Sequence, residues 1–180
     1  MDDKFVNFCR EGNLKGIIKQ INKNKIYIHT NDEQGFRWAC YGGHKHIVEY
    51  LINLHSKNPI YDKINIHATN ELGFRWTCQY GHKHIVEYLI NLYKNNEEYE
   101  KINLHAQNEE GFIMACHNGH KHIVEYLINL YKTTTYAKIN IHAGNELGFA
   151  CACDCEHKYI IKYLLSCGCH SNNYTCIIIL

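Results

Sequence analysis

Residues 66–103 read IHATNELGFRWTCQYGHKHIVEYLINLYKNNEEYEKIN, and nearly the same words stand on either side of them. Residues 28–65 read IHTNDEQGFRWACYGGHKHIVEYLINLHSKNPIYDKIN, and residues 104–140 read LHAQNEEGFIMACHNGHKHIVEYLINLYKTTTYAKIN. A fourth copy opens at Ile141 with IHAGNELGF and then drifts through CACDCEHKYIIKYLLSCG. The copies start 38, 38 and 37 residues apart. An earlier, degenerate copy stands in Phe5-Val6-Asn7-Phe8-Cys9-Arg10-Glu11-Gly12-Asn13, followed by Ile17, Ile18 and Ile21. Self-similarity at a fixed period of this size is the signature of a repeat architecture. The expected organisation is one continuous domain: a capping copy over 1–27, repeats over 28–65, 66–103 and 104–140, a C-terminal capping copy over 141–169, and a short apolar tail over 170–180.

Each copy reads as two short helices. Asn70 offers a side-chain oxygen to cap the first, and Glu71 suits the positive end of its dipole. Asp32, Asn108 and Asn145 hold the same place in the other copies. Phe74 and Cys78 lie four apart and share a face, and the helix is expected to stop before Gly81. The second helix begins at His82-Lys83-His84. Its Ile85, Leu89 and Leu92 fall at i, i+4 and i+7 and make one apolar stripe. Val86, Tyr88 and Ile90 widen that stripe beyond what a free helical hairpin could hide, so neighbouring copies must cover it. The fold expected is all-α, a solenoid of stacked helix-turn-helix repeats.

Composition narrows the function classes. The 180 residues carry 19 basic and 18 acidic side chains for a net charge of +1, which leaves no electrostatic footprint for nucleic acid. The hydrophobic fraction is 46%, yet no apolar run approaches the roughly 20 residues that a bilayer demands. Met1-Asp2-Asp3-Lys4-Phe5 lacks the basic start and apolar stretch of a signal peptide. Ten cysteines without such a signal point to a reducing compartment, cytosol or nucleus, with the cytoplasm the expected place. The wealth of Ile, Asn, Lys and Tyr is what an AT-rich genome encodes.

These residues resemble the ankyrin repeat. Ala39-Cys40-x-x-Gly43-His44, followed by Ile47-Val48-x-x-Leu51-Ile52, is similar to that family's A-A-x-x-G-H-x-x-I-V-x-x-L-L core. The match recurs over Thr77 to Ile90 and Ala115 to Ile128, and more weakly over Ala152 to Leu165, where Glu156 replaces the glycine. The G-F-R-W-A-C and G-H-K-H-I-V-E-Y-L-I-N-L wording further resembles the expanded ankyrin proteins of giant amoeba-infecting DNA viruses. Two departures stand out. The family's T-P-L-H start is absent, and the segment after the second helix is longer, which lifts the period above the usual value of about 33. The resemblance implies an ankyrin-type solenoid that binds another protein, without cofactor, and acts as a monomer. A viral member would capture a host protein in the host cytoplasm. The roughly ten residues after the last copy are too few for the ligase-recruiting tail that many viral relatives carry.

Histidines and cysteines recur in step with the repeat: His44-x-His46, His82-x-His84 and His120-x-His122, and Cys40, Cys78, Cys116 and Cys153. Zinc needs its ligands about 2.0–2.3 Å from the ion, whereas equivalent residues on stacked helices stand roughly 8–10 Å apart. One column alone therefore cannot close a site, and both columns read as packing. The last copy is less regular. Cys151 and Cys155 lie on one helix face, and Cys167-x-Cys169 follows the partner helix. These four thiols are the zinc candidates, in an alternative reading as a metal- or redox-responsive protein. No phosphate loop and no singular nucleophile-base pair stands out from the repeat, so no enzyme is expected. Cys176 stands fifth from the end, one place off a prenylation box.

Comparison among the copies separates framework from variation. Phe36/Phe74/Phe112/Phe149 barely change, whereas Tyr41/Gln79/His117/Asp154 and Gly42/Tyr80/Asn118/Cys155 differ at every step. Positions just before the Gly-His turn face the binding groove in the family this chain resembles. The expected contact residues are Arg37, Trp38, Tyr41, Arg75, Trp76, Gln79, Tyr80, His117 and Asn118, rich in the types that dominate interface energetics. Alternatively, both tryptophans are buried between first helices. The loops at Ser56 to Asp62, Asn95 to Glu100 and Thr133 to Ala137 form a second candidate surface, or merely tolerant connectors.

Overall fold

The computed structural model of the chain describes residues 3–23 and 26–170. Among them are eleven α-helices, one short 3-10 turn at Leu130–Lys132 and no strand. The first copy supplies α1 (Asp3–Glu11) and α2 (Leu14–Lys23). The second supplies α3 (Thr30–Tyr41), α4 (Lys45–Ile52) and the short α5 (Leu54–Lys57). Then come α6 (Ala68–Gln79) with α7 (Lys83–Asn95), α8 (Ala106–His117) with α9 (Lys121–Asn129), and α10 (Ala143–Asp154) with α11 (Lys158–Ser166). The fold class is the all-α repeat solenoid. The apolar tail expected after residue 170, including Cys176, lies outside the described residues.

Two compact units divide the chain. One comprises residues 1–77 and 84–103, the other residues 78–83 and 104–180. Within the first unit, Phe5 of α1 lies against Gly35 of α3, and Phe36 of α3 against Gly73 of α6. Within the second, Phe112 of α8 lies against Gly148 of α10. At Gly35, Gly73 and Gly148 the glycine before the phenylalanine thus has a packing reason. The glycine gives up its Cβ so that the phenylalanine of the copy before can be sealed, and Phe5, Phe36, Phe74, Phe112 and Phe149 are each at most 1% exposed. The stripe on the second helices is buried as its spacing requires, with Ile85, Leu89 and Leu92 among the core.

The start of each first helix departs from expectation. Asn70 does not cap α6. Thr69, Asn70 and Glu71 have φ of 55°, 52° and 62°, three consecutive left-handed residues. Asn31-Asp32-Glu33, Gln107-Asn108-Glu109 and Gly144-Asn145-Glu146 do the same. Left-handed backbone costs a residue with a Cβ roughly 1–2 kcal/mol, so something must hold the turn. That something is the glutamate, which sits buried at Glu33, Glu71 and Glu109 rather than at a solvated helix end. Glu71 Oε1 accepts from His67 Nδ1 at 2.8 Å and from the Asn103 backbone N–H at 3.1 Å. Glu33 takes His29 (2.8 Å) and Asn65 (3.0 Å), and Glu109 takes His105 (2.7 Å) and Asn140 (3.1 Å). Each carboxylate therefore ties its own turn to the last residue of its copy, just before the next copy opens.

The recurring histidine pairs tie in the opposite direction. In the first unit, His44 Nε2 lies 3.0 Å from the Arg10 carbonyl, and His46 Nε2 lies 3.2 Å from that of Gly12. His84 Nε2 reaches the Gly43 carbonyl at 3.3 Å. In the second, His120 reaches Gln79 O at 2.9 Å and His157 reaches His117 O at 2.8 Å. These imidazoles seat on the turn of the preceding copy. The left-handed glycines there leave room for them, since a Cβ on Gly81 would fall 2.7 Å from the His120 ring.

Candidate functional site

The variable first-helix positions fall into two patches, one in each unit. In the first unit, Trp38 and Tyr41 of α3 meet Trp76 of α6. Ring centroids stand 5.1 Å apart for Trp38–Tyr41, and 5.6 Å for both Trp38–Trp76 and Tyr41–Trp76. All three rings are half-buried, and the Arg10 guanidinium lies 5.9 Å from the Trp38 ring. Neither tryptophan is sealed in the core, and neither is fully displayed. The three make an aromatic ledge with one edge open to water.

The two arginines of this group hold the backbone. Arg37 donates from Nε to Asp32 O (2.8 Å) and from Nη2 to Asn31 O (2.6 Å). Arg75 repeats this on Asn70 O (2.9 Å) and Thr69 O (3.1 Å) and is buried. A guanidinium fork is suited to such paired acceptors. In the later copies Ile113 and Ala150 occupy the position, both buried. The second unit presents Gln79, half-buried, and Tyr80, His117 and Asn118, all exposed. His117 Nδ1 lies 3.7 Å from Cys155 Sγ, which joins a variable column to the terminal thiols across 38 positions of sequence.

The four candidate thiols are not drawn together. Among the described residues, the group able to offer three ligand atoms within 4.8 Å is His142, Glu146 and Cys169. Cys155 is exposed beside His117, and Cys151 and Cys167 are half-buried. Burial pushes the thiols of Cys9 and Cys169 up to about 12, and it raises Cys40 and Cys116 as well. Cys9, Cys40 and Cys116, enclosed by the core, are packing groups rather than nucleophiles. Cys40 lines the pocket that Gly73 and Phe36 share, as its column requires.

The connecting loops are tethered by a tyrosine. Tyr61, Tyr99 and Tyr136 are buried, and Tyr99 Oη donates to Ile52 O at 3.2 Å. Their shared Tyr-x-Lys-Ile-Asn or Tyr-Ala-Lys-Ile-Asn spelling was visible in every complete copy. The loops between second helix and next copy are thus anchored at one end, while Ser56 to Ile60 remain exposed.

Helix pairs of this construction, closed by a Gly-His turn, place the chain among known repeats. The family described as ankyrin repeats (3 copies) matches residues 74–175. The chain belongs to the ankyrin-repeat family. Acyl-CoA-binding domain-containing protein 6 of Danio rerio is 35% identical over 54 residues, which cover 28% of this chain and 18% of that protein. The Homo sapiens and Rattus norvegicus proteins of the same name are also 35% identical over 54 residues, covering 28% of this chain and 19% of each. The chain spans under a fifth of the length of these curated relatives. Ankyrin repeats are protein–protein interaction modules, and their fold is typically non-catalytic. Among the described residues, no helix is long and apolar enough to cross a membrane.

Proposed function

We propose that this ankyrin-repeat chain captures a protein partner through the variable positions of its first helices. The observation that carries the reading is the Trp38–Tyr41–Trp76 ledge. Aromatic side chains that are half-open and held against one another are costly to leave wet and are the anchors on which binding energy concentrates. Gln79, Tyr80, His117 and Asn118 supply a second patch whose chemistry changes from copy to copy, as a recognition surface does and a packing face does not. Arg37 and Arg75 serve the surface from behind by fixing the turns that carry it. The partner is a host protein and the chain viral, by the wording it shares with the ankyrin proteins of giant amoeba-infecting viruses and by its AT-rich residue bias. Capture or competition in the host cytoplasm then follows. The loops around Ser56 to Asp62 are a second surface for the same partner.

The test starts from a partner recovered from infected amoebae and then purified. Trp38→Ala with Tyr41→Ala, or Gln79→Ala with Tyr80→Ala, raises its Kd by about tenfold or more, while the helical circular dichroism is kept. Leu89→Ala instead lowers stability by about 2–5 kcal/mol and leaves the intrinsic affinity of the folded fraction unchanged. A Kd unmoved by both surface pairs overturns the first-helix surface.

A further inference from the structure

The last copy differs from its predecessors at one buried position. Glu33, Glu71 and Glu109 receive the amides of Asn65, Asn103 and Asn140, and the residue before each asparagine is a buried isoleucine: Ile64, Ile102 and Ile139. In the last copy Glu146 receives the His170 amide on Oε2 at 2.9 Å. The residue before His170 is Cys169, only 1% exposed. A thiol stands where the other copies bury a hydrocarbon, beside the same His-x-x-x-Glu pair. One ligand atom each from His142, Glu146 and Cys169 falls within 4.8 Å of the others. The pair is also more open here. The Glu146 side chain is 18% exposed and that of His142 52%, against 5–6% for the three earlier glutamates.

We propose that His142 Nδ1, Glu146 Oε1 and Cys169 Sγ form a binding site for one zinc ion, with water as the fourth ligand. Imidazole, carboxylate and thiolate are the three protein ligand types of zinc, and at its usual bond lengths their atoms stand roughly 3.3–3.6 Å apart. His142 Nδ1 and Glu146 Oε1 are already 3.0 Å apart. Closing the site brings the Cys169 sulfur from within 4.8 Å of the pair to that spacing, within a segment that ends the last helix pair. On binding, the thiol proton passes to solvent and the imidazole proton moves from Nδ1 to Nε2. Glu146 Oε2 keeps the His170 amide, which orients the carboxylate as an outer-shell partner does. The half-exposed imidazole leaves the fourth position open to water. The earlier copies offer only the imidazole and carboxylate, so among the described residues the site occurs once. It is independent of the protein-binding surface, since none of its ligands belongs to the variable columns.

The test is a cobalt(II) titration of the full chain purified without added metal. One equivalent is expected to bind with thiolate-to-cobalt charge-transfer absorption and to be displaced by zinc. Cys169→Ile, which restores the residue of the other copies, and His142→Gln are expected to abolish that absorption while the circular dichroism stays native. Absence of the absorption in the wild-type chain overturns the site. Its survival in Cys169→Ile, or its loss in Cys155→Ser instead, overturns it equally by moving the metal to the His117–Cys155 pair.

Discussion

Glu71 accepts the backbone N–H of Asn103 at 3.1 Å, across 32 positions of sequence, with the same oxygen that takes the His67 imidazole. A charged acceptor inside the protein makes hydrogen bonds worth more than the neutral average, and removing it strands the buried donor. Glu71→Ala is therefore expected to lower the unfolding free energy by about 2–4 kcal/mol, read from urea denaturation. Glu146→Ala, whose carboxylate is more open to water, should lower it distinctly less. Equal losses at both positions would show that burial does not govern this tie.

The left-handed turn before α6 includes a β-branched residue, Thr69, at φ 55°. Gly144 fills the matching place in the last copy at φ 60°. Relief of the Cβ clash outweighs the extra chain entropy of glycine. Thr69→Gly is thus expected to stabilise the fold by about 0.5–1 kcal/mol and to raise the melting temperature. A lower melting temperature would mean that the side chain supports the turn.

The hydrogen bond to Glu71 raises the His67 pKa above its ordinary 6.5, against the opposing pull of burial. A group whose pKa is higher folded than unfolded stabilises the fold fully below its unfolded value and ceases to do so as pH rises through its folded value. The urea midpoint of the wild type should therefore exceed that of His67→Gln by more at about pH 5.5 than at about pH 8.5. A pH-independent difference would leave the charged form without a role.

Gly73 tests the close seat of the preceding phenylalanine. A Cβ there would fall 2.8 Å from Phe36 Cε1. Gly73→Ala is expected to destabilise by about 1–3 kcal/mol through overpacking, despite the better helix propensity of alanine. Thermal unfolding at matched concentration decides it.

Much of this architecture could be read in advance because its signals are local and repeated. The apolar stripe of Ile85, Leu89 and Leu92 and the Gly-His turn follow from spacing alone. The carboxylate tie does not. Asn70-Glu71 has the spelling of a helix N-terminus, and single-residue preference speaks against three left-handed residues in a row. Only partners far along the chain, such as Asn103, make that turn worthwhile. The recurring His-x-x-x-Glu of His29/Glu33, His67/Glu71, His105/Glu109 and His142/Glu146 was the available clue. The backbone role of the arginines was hidden for a related reason. Arg37 and Arg75 vary between copies as contact residues do, and the same change means that two turns are held by a guanidinium and two are not.

The ties described for the copies have a direction. A carboxylate reaches forward to the amide at the end of its copy, where the next copy begins, and imidazoles reach back to the carbonyls of the copy that precedes. The leading and trailing faces of a module are thus chemically unlike, a plug and a socket. Insertion or loss of whole periods preserves every junction wherever the cut falls within the module, so an array of this kind can lengthen or shorten by unequal recombination without new interface chemistry.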